Sequence, residues 1–142
     1  LVDKNLILRK ISELEEYITQ LEELKDVTVE EYSKDWKIQR AVERTLQIAI
    51  ELCVDIANHI ISDEGWRVPV SYSDTFKVLK ENKVIDNELF SIMERMARFR
   101  NIIVHNYDKL DQTIILDILK KNLEDFMKYR DSILKWLAIN LY

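Results

Sequence analysis

DWKIQRAVERTLQIAIELCVDIANHIIS, residues 35–62, decides the fold. At about 100° per residue, Ile38, Ala41, Val42, Thr45, Ala49, Leu52, Ile56 and Ile60 cover one side of a helix, and Leu46, Ile50, Ala57 and Ile61 extend it around the cylinder. What is left is a narrow polar stripe: Lys37, Arg40, Arg44, Gln47, Glu51, Asp55 and Asn58. A helix this apolar is buried on most sides, either at the centre of a bundle or at an oligomer interface. The stripe is then a slot open to water or a set of side-chain pairs. Pairing is the favoured reading, because unpaired charges there would be costly. His59 lies at the edge of the apolar arc and reads as a hydrogen-bonded core histidine.

On the N-terminal side of this stretch, residues 3–24 carry Leu6, Ile7, Ile11, Leu14, Ile18 and Leu21 in one stripe, with a Glu-rich opposite side. Between this helix and the central one, Thr28 with Glu31 three residues on has the pattern of a capping box for one turn. After the central helix, Gly65 marks a helix stop and Pro69 a loop, and Trp66 is placed to plug the bundle end. A short helix follows over residues 73–82, capped by Ser73 or Asp74, with Phe76 and Leu79 inward. Asp86 caps a fourth helix, and a fifth runs over residues 113–137. The expectation is an all-α, up-and-down bundle of about five helices, forming one domain over residues 1–142.

The totals agree. One glycine and one proline in 142 residues leave few tight turns, and 47% hydrophobic with 33% charged residues suits an all-α chain. No uninterrupted apolar run reaches the roughly 18 residues that a membrane span needs, and residues 1–10 lack a signal-peptide pattern. Cys53 is the single cysteine, which excludes an intramolecular disulfide and a cysteine-built metal site and fits a cytoplasmic setting. Two histidines alone make a poor case for any metal site. A net charge of −5 argues against a broad nucleic-acid-coating surface, and no helix carries a clearly basic recognition face for DNA. Lys and Arg are interleaved with Glu and Asp, which disfavours membrane-surface binding. Phosphate-loop, HExxH, CxxC and GxSxG patterns are absent, and no cofactor is expected.

The chemistry concentrates in RNIIVHNY, residues 100–107, at the end of the fourth helix. Leu89, Met93, Met96, Arg100, Ile103, Val104 and Tyr107 share one arc, so Arg100 sits where the pattern asks for an apolar residue. A guanidinium keeps its charge, so a buried one needs a partner or an anion. Asn101 and His105 lie four apart on the adjoining flank with Arg98, close enough to touch if the helix continues. Spacing alone also fits an arginine snorkelling at a helix end with a histidine near the C-terminus.

The string Arg-Asn-x3-His-x-Tyr, late in a small helical chain, resembles the motif of the HEPN superfamily, specifically its HepT-type toxins. It is matched by Arg100, Asn101, His105 and Tyr107. Residues 35–44, with Glu51, Asp55 and the run His59-Ile60-Ile61, are similar to that family's second helix. Tyr72, Phe76 and Leu79 look like its next one, with Asp74 where members often carry Glu. The resemblance implies a two-fold homodimer, with or without further assembly, whose Arg/His motifs face a shared cleft. It implies a metal-independent endoribonuclease acting as a toxin on RNA. Its partner would be an MNT-type nucleotidyltransferase antitoxin that transfers AMP from ATP onto the motif tyrosine, here Tyr107. Some members instead act as non-catalytic interaction or nucleotide-binding modules, and that alternative stays open.

RNA cleavage through the 2′-hydroxyl needs a base, an acid and cationic stabilisation of the phosphoryl group. One motif histidine per chain cannot fill both proton roles, but His105 from each of two protomers can. Arg100 would hold the scissile phosphate and Asn101 would orient His105 or the phosphate. Arg98, Arg95, Arg40 and Arg44 are candidates for contacts to the RNA backbone.

Overall fold

The computed structural model describes residues 2–105 and 110–140. Among the described residues there are seven helices: α1 (Lys4–Leu24), α2 (Val29–Lys34), α3 (Trp36–Glu64), α4 (Tyr72–Glu81), α5 (Asn87–His105), α6 (Gln112–Lys121) and α7 (Leu123–Asn140). The long apolar stretch, α3, is the hub and packs against α1, α2, α4, α5 and α6. Leu46, Ile50, Ile56 and Ile60 are fully buried, and α1 meets them with Ile7, Leu14 and Leu21. Each such side chain removed from water contributes about 1.5–3 kcal/mol to folding. By length and composition α3 would suffice to cross a bilayer, but more than half of that window is buried inside the bundle.

Local chemistry sets the ends of these helices. The Asp3 carboxylate accepts from the Leu6 N–H, and that of Asp35 accepts from the N–H groups of Lys37 and Ile38. The Thr28–Glu31 capping box is present on both sides: Glu31 N–H to Thr28 Oγ1 at 3.0 Å and Thr28 N–H to Glu31 Oε1 at 3.3 Å. It supports α2, which is longer than the single turn that the motif promised. Gly65 ends α3 at φ +69°, a left-handed conformation that side chains resist, and the Trp66 N–H closes back on the Ile61 carbonyl. Trp66 then meets Trp136 of α7 edge-to-face at 5.8 Å. Asp86 caps α5 through the Leu89 N–H.

Three expectations are corrected. The cap of α4 is Ser71, whose hydroxyl accepts from the Asp74 N–H at 3.0 Å. That leaves the Asp74 carboxylate free to pair with Arg67. The helix expected over residues 113–137 is two helices, divided at Asn122 (φ −120°, ψ 7°). There the Asn122 amide donates to Asp125 Oδ2, and its carbonyl accepts from the Asp125 N–H, a local alternative to helical bonding that asparagine offers. The break frees α6 to lie against α1 and α3, where the Lys120 ammonium donates to the carbonyls of Lys25 and Val27. His59, thirdly, is a partly exposed surface residue whose Nε2 stands 3.6 Å from Asp55 Oδ1, not a core histidine.

One buried polar bond ties the hub to α7. The Tyr129 hydroxyl donates to the Cys53 carbonyl at 2.7 Å, and its ring meets Phe76 edge-to-face at 5.7 Å. Burial pushes both the Cys53 thiol and the Tyr129 phenol well above their ordinary values, so neither is a nucleophile at neutral pH. Tyr129→Phe removes a donor and keeps the ring. It is expected to cost about 1–2 kcal/mol, read as a lower urea midpoint with an unchanged slope.

Candidate active site

Three helices converge on Arg100. Its Nε and Nη2 both donate to Glu51 Oε2 on α3, at 2.9 and 2.7 Å. Its guanidinium carbon lies 4.6 Å from the centre of the Tyr72 ring on α4. Its third nitrogen, Nη1, donates to Asn101 Oδ1 at 3.3 Å. The side chain is only 17% exposed, so the guanidinium that interrupts the apolar arc does have its partner. Glu51 is oriented in turn by Gln47, whose amide donates to Oε2 at 3.2 Å. One edge of the guanidinium is thus clamped and one face covered, while the Nη1 edge opens beside Asn101.

The start of α4 holds Tyr72 in place. Arg67 grips Asp74 with two N–H bonds of 2.8 Å each and reaches Glu81 with Nε at 2.8 Å. Those bonds, with one from the Val70 N–H, hold the Asp74 carboxyl down at about 2 from an ordinary 3.8. Asp74 therefore braces the loop before α4 rather than facing Arg100.

Helical geometry sets Arg100 and His105 about 140° apart on α5. Arg100 points into the bundle, and His105 stands exposed at the last described turn of the helix. Arg95, Arg98, Asn101 and His105 share the outward arc of about 120°, and all four are exposed. Arg98 pairs with Glu94 at 3.2 Å. Arg95 lines a cavity of about 190 Å³ between α5, α6 and the start of α7. Among the described residues no hydrogen bond joins Asn101 to His105; Asn101 is engaged by Arg100 instead. Arg40 and Arg44 are exposed on the α3 stripe that leads to Glu51, and Arg40 Nη1 pairs with Glu43 at 3.2 Å. Tyr107 lies outside the described residues. Among the described residues no group of three His, Cys, Asp or Glu side chains could hold a metal ion.

The polar stripe is thus mostly a row of pairs: Glu51 with Arg100, and Asp55 with Lys10 and His59. Sequence reasoning placed Glu51 on that stripe without joining it to Arg100, 49 residues away. Tyr72 carried no signal for its ring contact beyond the resemblance of its segment.

The chain matches the family model described as "Ribonuclease HepT-like" over residues 14–133. It is 31% identical over 129 residues to a protein of Shewanella oneidensis named mRNA nuclease HepT, covering 91% of this chain and 96% of that one. It is 21% identical over 136 residues to a tRNA nuclease HepT of Aphanizomenon flos-aquae, covering 96% and 92%. Its fold superimposes on the tri-AMPylated HEPN toxin of Shewanella oneidensis, solved in complex with an MNT antitoxin. That match has a TM-score of 0.86 at 30% identity and covers 93% of this chain and 98% of that one.

Proposed function

The chain belongs to the ribonuclease HepT-like family, and from that premise we propose that it is the metal-independent endoribonuclease of a cytoplasmic toxin–antitoxin pair. The observation that carries the site is Arg100, clamped on one edge by Glu51, covered by Tyr72 and open beside Asn101, on the helix that ends at an exposed His105. The working unit is a homodimer that brings two such helix ends to one cleft. The 2′-oxygen of the RNA attacks the adjacent phosphorus as His105 of one protomer takes its proton. The bond from phosphorus to the 5′-oxygen breaks as the second protomer's histidine protonates the leaving oxygen. The products are a 2′,3′-cyclic phosphate and a free 5′-hydroxyl.

Arg100 meets the phosphoryl oxygens with its Nη1 edge. The Glu51 clamp presets that orientation, so little reorganisation is needed as charge builds. Asn101 holds the same edge between turnovers. Arg95 and Arg98, on the His105 side of α5, contact the RNA backbone, as do Arg40 and Arg44 on α3.

The partner is an MNT-type nucleotidyltransferase that moves AMP from ATP onto Tyr107, two residues beyond His105. The added bulk and negative charge then keep RNA out by sterics and repulsion. The test is RNA cleavage by unmodified protein in EDTA. The expected product carries a 2′,3′-cyclic phosphate. Incubation with ATP and the cognate transferase should add AMP to the protein's mass and stop cleavage, and Tyr107→Phe should prevent both. Absence of cleavage on several RNAs by protein of unmodified mass would sink the nuclease reading.

A further inference from the structure

We propose that Trp36 is a base-stacking platform for single-stranded RNA approaching the Arg100–His105 site along α3. The proposal rests on the nuclease reading and deepens it, by naming the form of RNA and where its far end is held.

Trp36 opens α3 with 64% of its surface in water. Large aromatic side chains normally bury most of their area, and among the described residues Trp36 is the one aromatic left exposed. Its described ring contact is the Lys37 ammonium, 5.9 Å from the ring centre. At 3.6 residues per turn, Trp36, Arg40, Arg44, Gln47 and Glu51 fall within an arc of about 80°. The stripe that starts at Trp36 therefore ends at the carboxylate that clamps Arg100.

The charges on this stripe run against those of the chain. Net charge is −5, yet Lys37, Arg40 and Arg44 are all exposed over the first turns of α3. Asp35 is engaged by backbone N–H groups as the helix cap, and Glu43 is buried and pairs with Arg40. Further along, Glu51 and Asp55 are held by Arg100 and by Lys10 with His59. This half-face presents an aromatic plane with cations beside it, the combination that holds a nucleic-acid strand with little regard to sequence. The indole can reach a base only where the base is unstacked, which selects single strands over A-form duplex. From Trp36 to Glu51 the helix rises about 22 Å, a path for at most about six stacked nucleotides at roughly 3.4 Å each. An acidic protein surface is the competing occupant.

The test compares two substrates with the intact protein: a single strand of about 12 nucleotides, long enough to cover the path, and a dinucleotide that reaches only the cleavage site. Trp36→Ala should raise KM for the long strand about 10- to 100-fold more than for the dinucleotide, with kcat on the long strand changed less than about twofold. Trp36→Tyr should recover most of the loss. Anisotropy of labelled 12-mer on the His105→Ala and Trp36→Ala/His105→Ala proteins reads the same difference without turnover. Equal effects on both substrates, or no effect on the longer one, would overturn the proposal. So would a Trp36→Ala change confined to dimer mass or to transferase binding, which would give the face to a protein partner. If no RNA is cleaved, the nuclease reading fails by itself, and the anisotropy difference still decides whether Trp36 holds a single strand.

Discussion

His105→Ala is expected to lower RNA cleavage at least about 10⁴-fold, with no change in helix content or in the mass of the proposed dimer. The size follows from the proton count. Each proton transfer by a positioned side chain contributes about 10²–10⁴-fold, and one substitution in a homodimer removes both. The side chain is exposed at a helix end, so its loss leaves no cavity and the fold should tolerate it. Mixed dimers make the prediction specific. If one histidine is base and the other acid, a dimer of one wild-type and one His105→Ala protomer is also crippled, by about 10²–10⁴-fold. If each protomer works alone, the mixed dimer keeps about half of the activity. A tandem-tagged preparation of mixed dimers, assayed for the 2′,3′-cyclic product, separates the two.

Arg100→Ala is expected to lower kcat about 10²–10³-fold, the usual loss when a preset donor to a developing anion is removed. Arg100→Lys should recover little of it. The three N–H groups of an ammonium radiate from a single nitrogen, so lysine cannot grip Glu51 along one edge and face the phosphate with another as the planar guanidinium does. The cost in stability should be small by comparison. Breaking a fully buried ion pair costs about 3–5 kcal/mol, whereas a pair that reaches water is worth about 1 kcal/mol or less. The Glu51 side chain is 29% exposed and can hydrate, which places Arg100→Ala near the lower figure. Glu51→Gln keeps the shape and removes the charge, so Arg100 loses its clamp but stays in the site. Its expected signature is a fall in kcat of about tenfold or more with a nearly unchanged urea midpoint. A large drop in midpoint with normal kcat would mean that the Arg100–Glu51 pair serves the fold and not the reaction.

Much of this protein follows from periodicity and local backbone chemistry. The breadth of the α3 apolar arc forces that helix inside a bundle. Thr28 with Glu31, Asp35, Gly65 and Asp86 mark helix ends because each acts on backbone groups within a few residues. Arg100 announces itself as a charge in an apolar arc. Where local rules compete, sequence reading loses resolution. Ser73 and Asp74 are the caps that the sequence offers for α4, yet the cap is Ser71, and the Asp74 carboxylate is taken up by Arg67 instead. At Asn122 the helical period continues unbroken on both sides, and the break follows from side-chain bonding to Asp125 and from Lys120 anchoring the end of α6 on the connection between α1 and α2.

Helical class, the burial of α3 and the residue types that can do the chemistry are legible in the chain, because these depend on neighbours within one or two turns. What Arg100 touches, and that Trp36 stands out in water, follow from the packing of the helices. The Arg100 partners lie 28 and 49 positions away in the chain, and no local pattern encodes which of several carboxylates or rings a packed bundle will bring to a given guanidinium.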